Sequence, residues 1–123
     1  MLQRKNLLLV EDDAIVLSGL CELLLASDEF YITKAKSCDD IHLFLKDNHF
    51  DLVIVNPKML KGCVQNFLDL LFRVGFSGPI IFSCSVKRIV ELEAQNTGRL
   101  LACLQRPFKI VSLLECIRRL LSK

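Results

Sequence analysis

The chain has 123 residues, 52% hydrophobic and 24% charged, with 16 basic and 14 acidic side chains and a net charge of +2. The apolar share excludes disorder, and 5 Gly with 3 Pro exclude a collagen-like or linker composition. The balanced charge lacks the basic stripe of a nucleic-acid binder, and the longest charge-free run, 74–86, holds Gly75, Gly78 and Pro79 and falls short of the roughly 20 apolar residues of a membrane span. One domain over 1–123 is expected. The start Met1-Leu2-Gln3-Arg4-Lys5 has no apolar segment with a cleavage site, so a cytoplasmic protein is expected. Six cysteines, at 21, 38, 63, 84, 103 and 116, form no Cys-x-x-Cys pair and read as small hydrophobes in a reducing compartment.

Leu7-Leu8-Leu9-Val10 is a continuous apolar run, the mark of a strand buried on both faces. Asp13 can then cap a helix to about Ala26, with Val16, Leu20 and Leu24 on one face. Tyr31-Ile32-Thr33 is a weaker strand, placed near a sheet edge. Ser37-Cys38-Asp39-Asp40 has the spacing of a capping box before Ile41, Phe44 and Leu45. Leu52-Val53-Ile54-Val55 is a second buried strand, followed by a helical stripe at Val64, Phe67, Leu68 and Leu71. Pro79-Ile80-Ile81-Phe82 opens a third strand. Val86, Ile89 and Val90 start a weaker helix that ends before Gly98, and 100–104 forms an edge strand. The last helix carries Ile110, Leu113, Leu114, Ile117, Leu120 and Leu121 on one side and Lys109, Glu115, Arg118, Arg119 and Lys123 on the other. Strand and helix alternate five times, which predicts a parallel sheet covered on both faces. Function in such sheets gathers beyond the carboxyl ends of the strands.

Those ends carry Glu11, Asp12 and Asp13, then Asn56, Pro57 and Lys58, then Ser83, Cys84 and Ser85, then Gln105, Arg106, Pro107 and Phe108. With these residues the chain resembles a response-regulator receiver domain. The resemblance rests on Leu-Val-Glu-Asp-Asp at 9–13, Asp-Leu-Val-Ile-Val-Asn at 51–56, Pro-Ile-Ile-Phe at 79–82 and Arg-Pro-Phe at 106–108, and it covers the whole chain. It implies a flavodoxin-like (CheY-like) α/β three-layer sandwich, with five parallel strands in the order 2-1-3-4-5 and five helices. It also implies a chemistry: an aspartate at the end of the third strand takes a phosphoryl group from a kinase histidine or a small donor. An acid pair holds Mg²⁺, a lysine and a Ser or Thr contact the phosphoryl group, and an aromatic residue in the fifth strand reports the change. The bond before Pro107 would be cis.

The working positions depart from that pattern. Asn56 replaces the phosphoacceptor; a carboxamide is neutral, its nitrogen lone pair is delocalised, and it is no nucleophile. Arg106 stands for the lysine, Cys84 for the Ser or Thr, and Cys103 for the switch aromatic. Ser83 and Ser85 flank Cys84, and a shift of one residue would restore a hydroxyl. Glu11, Asp12 and Asp13 remain as an acid pocket whose Mg²⁺ affinity the loss of a carboxylate weakens, and no other cofactor is expected. Two readings of that pocket stay open: acids favourably placed at a helix N-terminus, or a pocket that still holds a cation or the ammonium of Lys58, less readily Lys61. Arg106 likewise is kept either for backbone geometry at Pro107 or for a contact with the acid pocket.

These residues suggest a stand-alone, atypical receiver of two-component or phosphorelay signalling that is not phosphorylated, is no enzyme, and acts as a protein-interaction module. The expected partner is a signalling protein or a second copy, met on the face of the fourth helix, fifth strand and last helix, with Lys109, Arg118 and Arg119 exposed there; neither nucleic acid nor membrane is expected. The alternatives are a receiver cut from a longer regulator, an engineered Asp-to-Asn variant, and a ligand-binding or enzymatic flavodoxin-like domain. The last lacks a Gly-rich phosphate loop after the first strand.

Overall fold

The structure is a computed structural model that describes residues 3–60, 64–85, 101–106 and 108–122. The elements run β1 (Lys5–Val10), α1 (Ala14–Ala26), β2 (Phe30–Ala35), α2 (Cys38–Asp47), β3 (Leu52–Val55), a 3-10 turn (Pro57–Leu60), α3 (Val64–Arg73), β4 (Ile80–Cys84), β5 (Leu101–Gln105) and α4 (Ile110–Leu121). The strands form one parallel sheet in the order β2-β1-β3-β4-β5. That is the predicted α/β architecture, with β2 and β5 at the edges. Four α-helices are present among the described residues where five were expected. The helix predicted from Val86 falls in 86–100, outside them, as do Lys61 and Pro107.

Why the central strands read as continuous apolar runs is plain from their neighbours. In β1, Leu8 and Val10 face one core and Leu7 and Leu9 the other. Val53 and Val55 against Leu52 and Ile54 repeat the division in β3, as do Ile80 and Phe82 against Ile81 in β4. The first core is closed by α2 and α3, through Ile41, Leu45, Phe67 and Leu71. The second is closed by α1 and α4, through Leu17, Leu24, Leu113 and Ile117. Each such aliphatic side chain contributes about 1.5–3 kcal/mol on burial. None of the helices among the described residues is long and apolar enough to cross a membrane.

α1 buries the expected face: Leu20 and Leu24 are buried, the half-buried Val16 packs on the same core, and Leu17 and Cys21 join them. The helix is apolar on nearly every side, so its inner face is wider than the periodic set. Its start matches the reading: the Asp13 carboxylate accepts the N–H groups of Ile15 and Val16 at 3.0 and 3.2 Å. At α2 the Ser37 hydroxyl accepts the Asp40 N–H, but the Asp40 carboxylate reaches back to Lys36 rather than to the cap residue itself. α3 ends in a Schellman turn: Gly75 has φ +84°, its N–H donates to Phe72, and the Phe76 N–H donates to Leu71.

The start of β3 is latched to β1. The Asp51 N–H donates to the Asn6 carbonyl at 2.8 Å, and the Asn6 N–H donates to the Asp51 carboxylate at 2.7 Å. Gly78 packs against this latch so closely that a Cβ there would stand 2.7 Å from the Asp51 carbonyl oxygen. That oxygen is backbone and cannot swing aside. Gly78→Ala is therefore expected to cost about 1–3 kcal/mol, as overpacking does, and urea unfolding at unchanged m-value measures it.

Candidate functional site

The carboxyl ends of β1, β3, β4 and β5 open on one pocket, and its charge centre is Glu11. This side chain is 1% exposed, a burial that a carboxylate sustains only if both oxygens are engaged. Oε1 accepts from Nη2 of Arg106 in an ion pair. Oε2 accepts from Nδ2 of Asn56 at 3.1 Å and from the backbone N–H groups of Asp12 and Asp13 at 3.2 and 3.3 Å. No buried side-chain nitrogen or oxygen among the described residues lacks a partner.

Arg106 crosses the pocket from the end of β5. Its backbone N–H donates to the Cys84 carbonyl at 3.0 Å, which fixes the root of the side chain. Nε then donates to the Ser83 hydroxyl at 2.8 Å and to the Ser83 carbonyl at 3.3 Å, and the far end of the fork reaches Glu11. A guanidinium can serve both because its donors lie in a fixed plane; an ammonium could not span them. Of the two readings of Arg106, its side chain does contact the acid pocket.

Asn56 is held at both ends. While Nδ2 donates to Glu11, Oδ1 accepts the Lys58 N–H at 3.1 Å. The Asn56 backbone N–H continues the sheet to Val10, and its carbonyl accepts from Met59 to start the 3-10 turn. The amide thus acts as a connector between β1 and the turn.

The other predicted residues are placed as follows. Asp12 is exposed, and Asp13 is engaged as the cap of α1. The three acids therefore do not converge, and no group of three His, Cys, Asp or Glu side chains suited to a metal exists among the described residues. Lys58, one counter-charge that the sequence left open for the pocket, is exposed at the border of the cavity, and the ion pair with Glu11 is made by Arg106 instead. Cys84 is buried and Cys103 partly buried, and both pack on the α2–α3 core. The hydroxyl that enters the site is that of Ser83, which alternation places on the opposite face of β4 from Cys84. A cavity of about 440 Å³ lies over these groups, bordered by Asn56, Lys58, Ser83, Cys84, Ser85 and Arg106.

On the last helix, Lys109 precedes the first turn, exposed and without a side-chain cap. Arg119 contacts the Cys116 sulfur at 3.7 Å. Arg118 is exposed, and it is also paired. Its guanidinium is paired with Glu29 at the start of β2, a partner too distant in sequence for helical spacing to show. The Arg118 hydrogen bonds hold the Glu29 carboxyl below its ordinary value. Burial pushes the thiols of Cys21 and Cys116 up, in keeping with packing roles.

No protein-family model matches the chain, and no curated protein sequence matches it. Solved structures do. The adenylate cyclase of Rhodopirellula baltica superposes with a TM-score of 0.81 at 19% identity, over 98% of this chain and 89% of that one. A chemotaxis response regulator of Vibrio cholerae gives 0.81 at 16% identity, over 96% and 99%. A CheY-like receiver domain protein of Methanospirillum hungatei gives 0.77 at 19% identity, over 98% and 95%. The likeness is one of fold: the chain has the architecture of a response-regulator receiver domain.

Two outcomes follow from these pairs. Arg106→Ala strands the buried Glu11 charge and is expected to cost about 3–5 kcal/mol in urea unfolding, whereas Arg106→Ala joined with Glu11→Gln costs less. Glu29 titrates at a lower pH in the folded chain than in the unfolded one. Its contribution is therefore present above the unfolded carboxylate value and is lost as the pH falls through the folded value. Arg118→Gln should lower the urea midpoint slightly at neutral pH, and the difference from the parent should vanish in acid.

Proposed function

We propose that this chain is a signalling module with the receiver fold that accepts no phosphoryl group and acts by binding another protein. The observation that carries this reading is the Glu11–Arg106–Asn56 cluster. Phosphoryl transfer to a receiver calls for a carboxylate nucleophile at position 56 and for acidic oxygens free to hold a hard cation. Here position 56 is an amide that donates to Glu11.

The residues also do not fit Mg²⁺. Every acceptor direction of Glu11 that the cluster uses is filled by an N–H donor, and Asp13 is committed to α1. A metal would have to displace Arg106 from a buried carboxylate. Charge balance is met from within, because Arg106 offsets Glu11 and Asn56 adds nothing. No step of a mechanism is therefore routed through a metal.

Binding is left as the activity these groups support. The pocket geometry is set by direct side-chain bonds rather than by a transferable group, so the surrounding surface is held in one arrangement. A protein partner accords with the balanced charge of the chain. Lys109 and Arg119 on the last helix remain exposed for such a contact, whereas Arg118 would first have to leave Glu29.

The reading is tested by intact mass after incubation with Mg²⁺ and acetyl phosphate. The parent chain is expected to gain nothing. Asn56→Asp is also expected to gain nothing, because Arg106 still holds Glu11, while Asn56→Asp joined with Arg106→Lys gains the mass of one phosphoryl group. A phosphoryl group on the parent chain overturns the reading.

A further inference from the structure

Donors and acceptors at the carboxyl ends of the strands do not balance. The acceptors are taken: both Glu11 oxygens are engaged, and Asn56 Oδ1 accepts the Lys58 N–H. Three donors remain. Ser83 is 1% exposed, and its Oγ accepts from Arg106 Nε. A hydroxyl also has a proton to give, and this one meets no acceptor among the described residues. Arg106 commits Nε to Ser83 and Nη2 to Glu11, which leaves Nη1 with no acceptor among the described residues. The exposed Lys58 ammonium has neither a salt bridge nor a hydrogen bond among them. All three residues border the same cavity of about 440 Å³.

Buried donors are satisfied by a group that accepts, and here the protein supplies none. Charge narrows the class of that group. Glu11 and Arg106 cancel, so Lys58 leaves the border of the cavity with one positive charge. Asp12, the exposed acid of the β1–α1 turn, is not among the residues that border it. A single negative charge therefore balances the site. A carboxylate carries one, accepts on both oxygens and matches the plane of a guanidinium. A phosphate monoester carries about −1.5 to −2 at neutral pH and would overshoot. Size narrows it further, since pockets of roughly 300–1,000 Å³ take small organic molecules. Pro57 and Cys84 also border this one.

We propose that the cavity binds a small organic carboxylate, reversibly and without a metal. Its oxygens accept from Ser83 Oγ, Arg106 Nη1 and Lys58 Nζ, and its apolar body lies toward Pro57 and Cys84. The amide at position 56 belongs to the same design, because a carboxylate there would repel the ligand. The proposal rests on the reading of a pocket that accepts no phosphoryl group. That reading is decided by a covalent mass change, and this one by a reversible titration, so the two can fail separately.

The test is ¹H–¹⁵N NMR of the full chain in reducing buffer, titrated with benzoate in the absence of Mg²⁺. Benzoate should shift the backbone signals of Lys58, Ser83, Ser85 and Arg106 with a Kd of about 1 mM, ordinary for so small a ligand. Benzamide, which has the same shape and no charge, should bind about tenfold more weakly, and inorganic phosphate should also bind more weakly than benzoate. Lys58→Gln alters an exposed side chain and should raise the benzoate Kd about fivefold, and Lys58→Arg should restore it. Ser83→Ala should weaken binding as well. Arg106 also borders a groove along α1 with Ile15, so Ile15→Glu serves as the control and should leave the Kd unchanged. Unshifted signals, benzamide binding as well as benzoate, tighter binding of phosphate, or a Kd indifferent to Lys58→Gln each overturn the proposal.

Discussion

A carboxylate buried to 1% exposure is the constraint from which the pocket follows. Glu11 sits where β1 leaves the sheet, and its two oxygens collect donors from three other places in the chain: the β1–α1 turn, the end of β3 and the end of β5. Each donor is itself anchored. Arg106 is held by Ser83, and Asn56 by the Lys58 N–H. Removing one member would leave a desolvated charge or an unpaired polar group, and a low local dielectric makes either costly. The cluster therefore ties the loops of four strands into one arrangement.

The substitutions at the strand ends are mutually consistent in charge. A carboxylate at position 56 beside Glu11 would leave the Arg106 pocket with one negative charge in excess, and an added cation would be favoured. The amide at 56 removes that excess and contributes a donor in the direction where a carboxylate would repel. Arg106 suits this neutral arrangement better than a lysine would, since the planar fork meets Ser83 and Glu11 together. Asn56 and Arg106 thus form, with Glu11, one self-neutralised site.

How much of this is readable beforehand depends on the range of the interaction. β1, β3 and β4 are evident as unbroken apolar runs because both faces of each are covered. Caps at Asp13 and Ser37 are evident because their partners lie within three residues. The pairing of Arg106 with Glu11 spans most of the chain, and local sequence allowed a backbone role equally well. Ser83 could have been preferred to Cys84 from strand alternation, since Ile81 and Ser83 share the face opposite Phe82 and Cys84. Nothing in the sequence reveals that the 3-10 turn directs Lys58 to solvent, or that Glu29 meets Arg118. On α1, periodicity locates Val16, Leu20 and Leu24 on the inner side but not Leu17 and Cys21, because a helix apolar on nearly every side gives the pattern no polar edge.

The apolar surface of α1 and the neutral pocket bear on the same question, which is how such a chain would be regulated. A receiver with a carboxylate and a metal has two charge states, and a covalent event moves it between them. A pocket already neutralised by its own arginine offers no comparable change in charge, so a ligand that fails to distinguish two conformations shifts nothing, however tightly it binds. On the proposed reading, control acts on occupancy, through the concentration of whatever binds. An apolar outer face on α1, beginning four residues after the buried Glu11, suits that mode. Its area is continuously displayed, its helix start is fixed by Asp13 next to the charge cluster, and the energy it offers a partner comes from covering surface rather than from a switched charge.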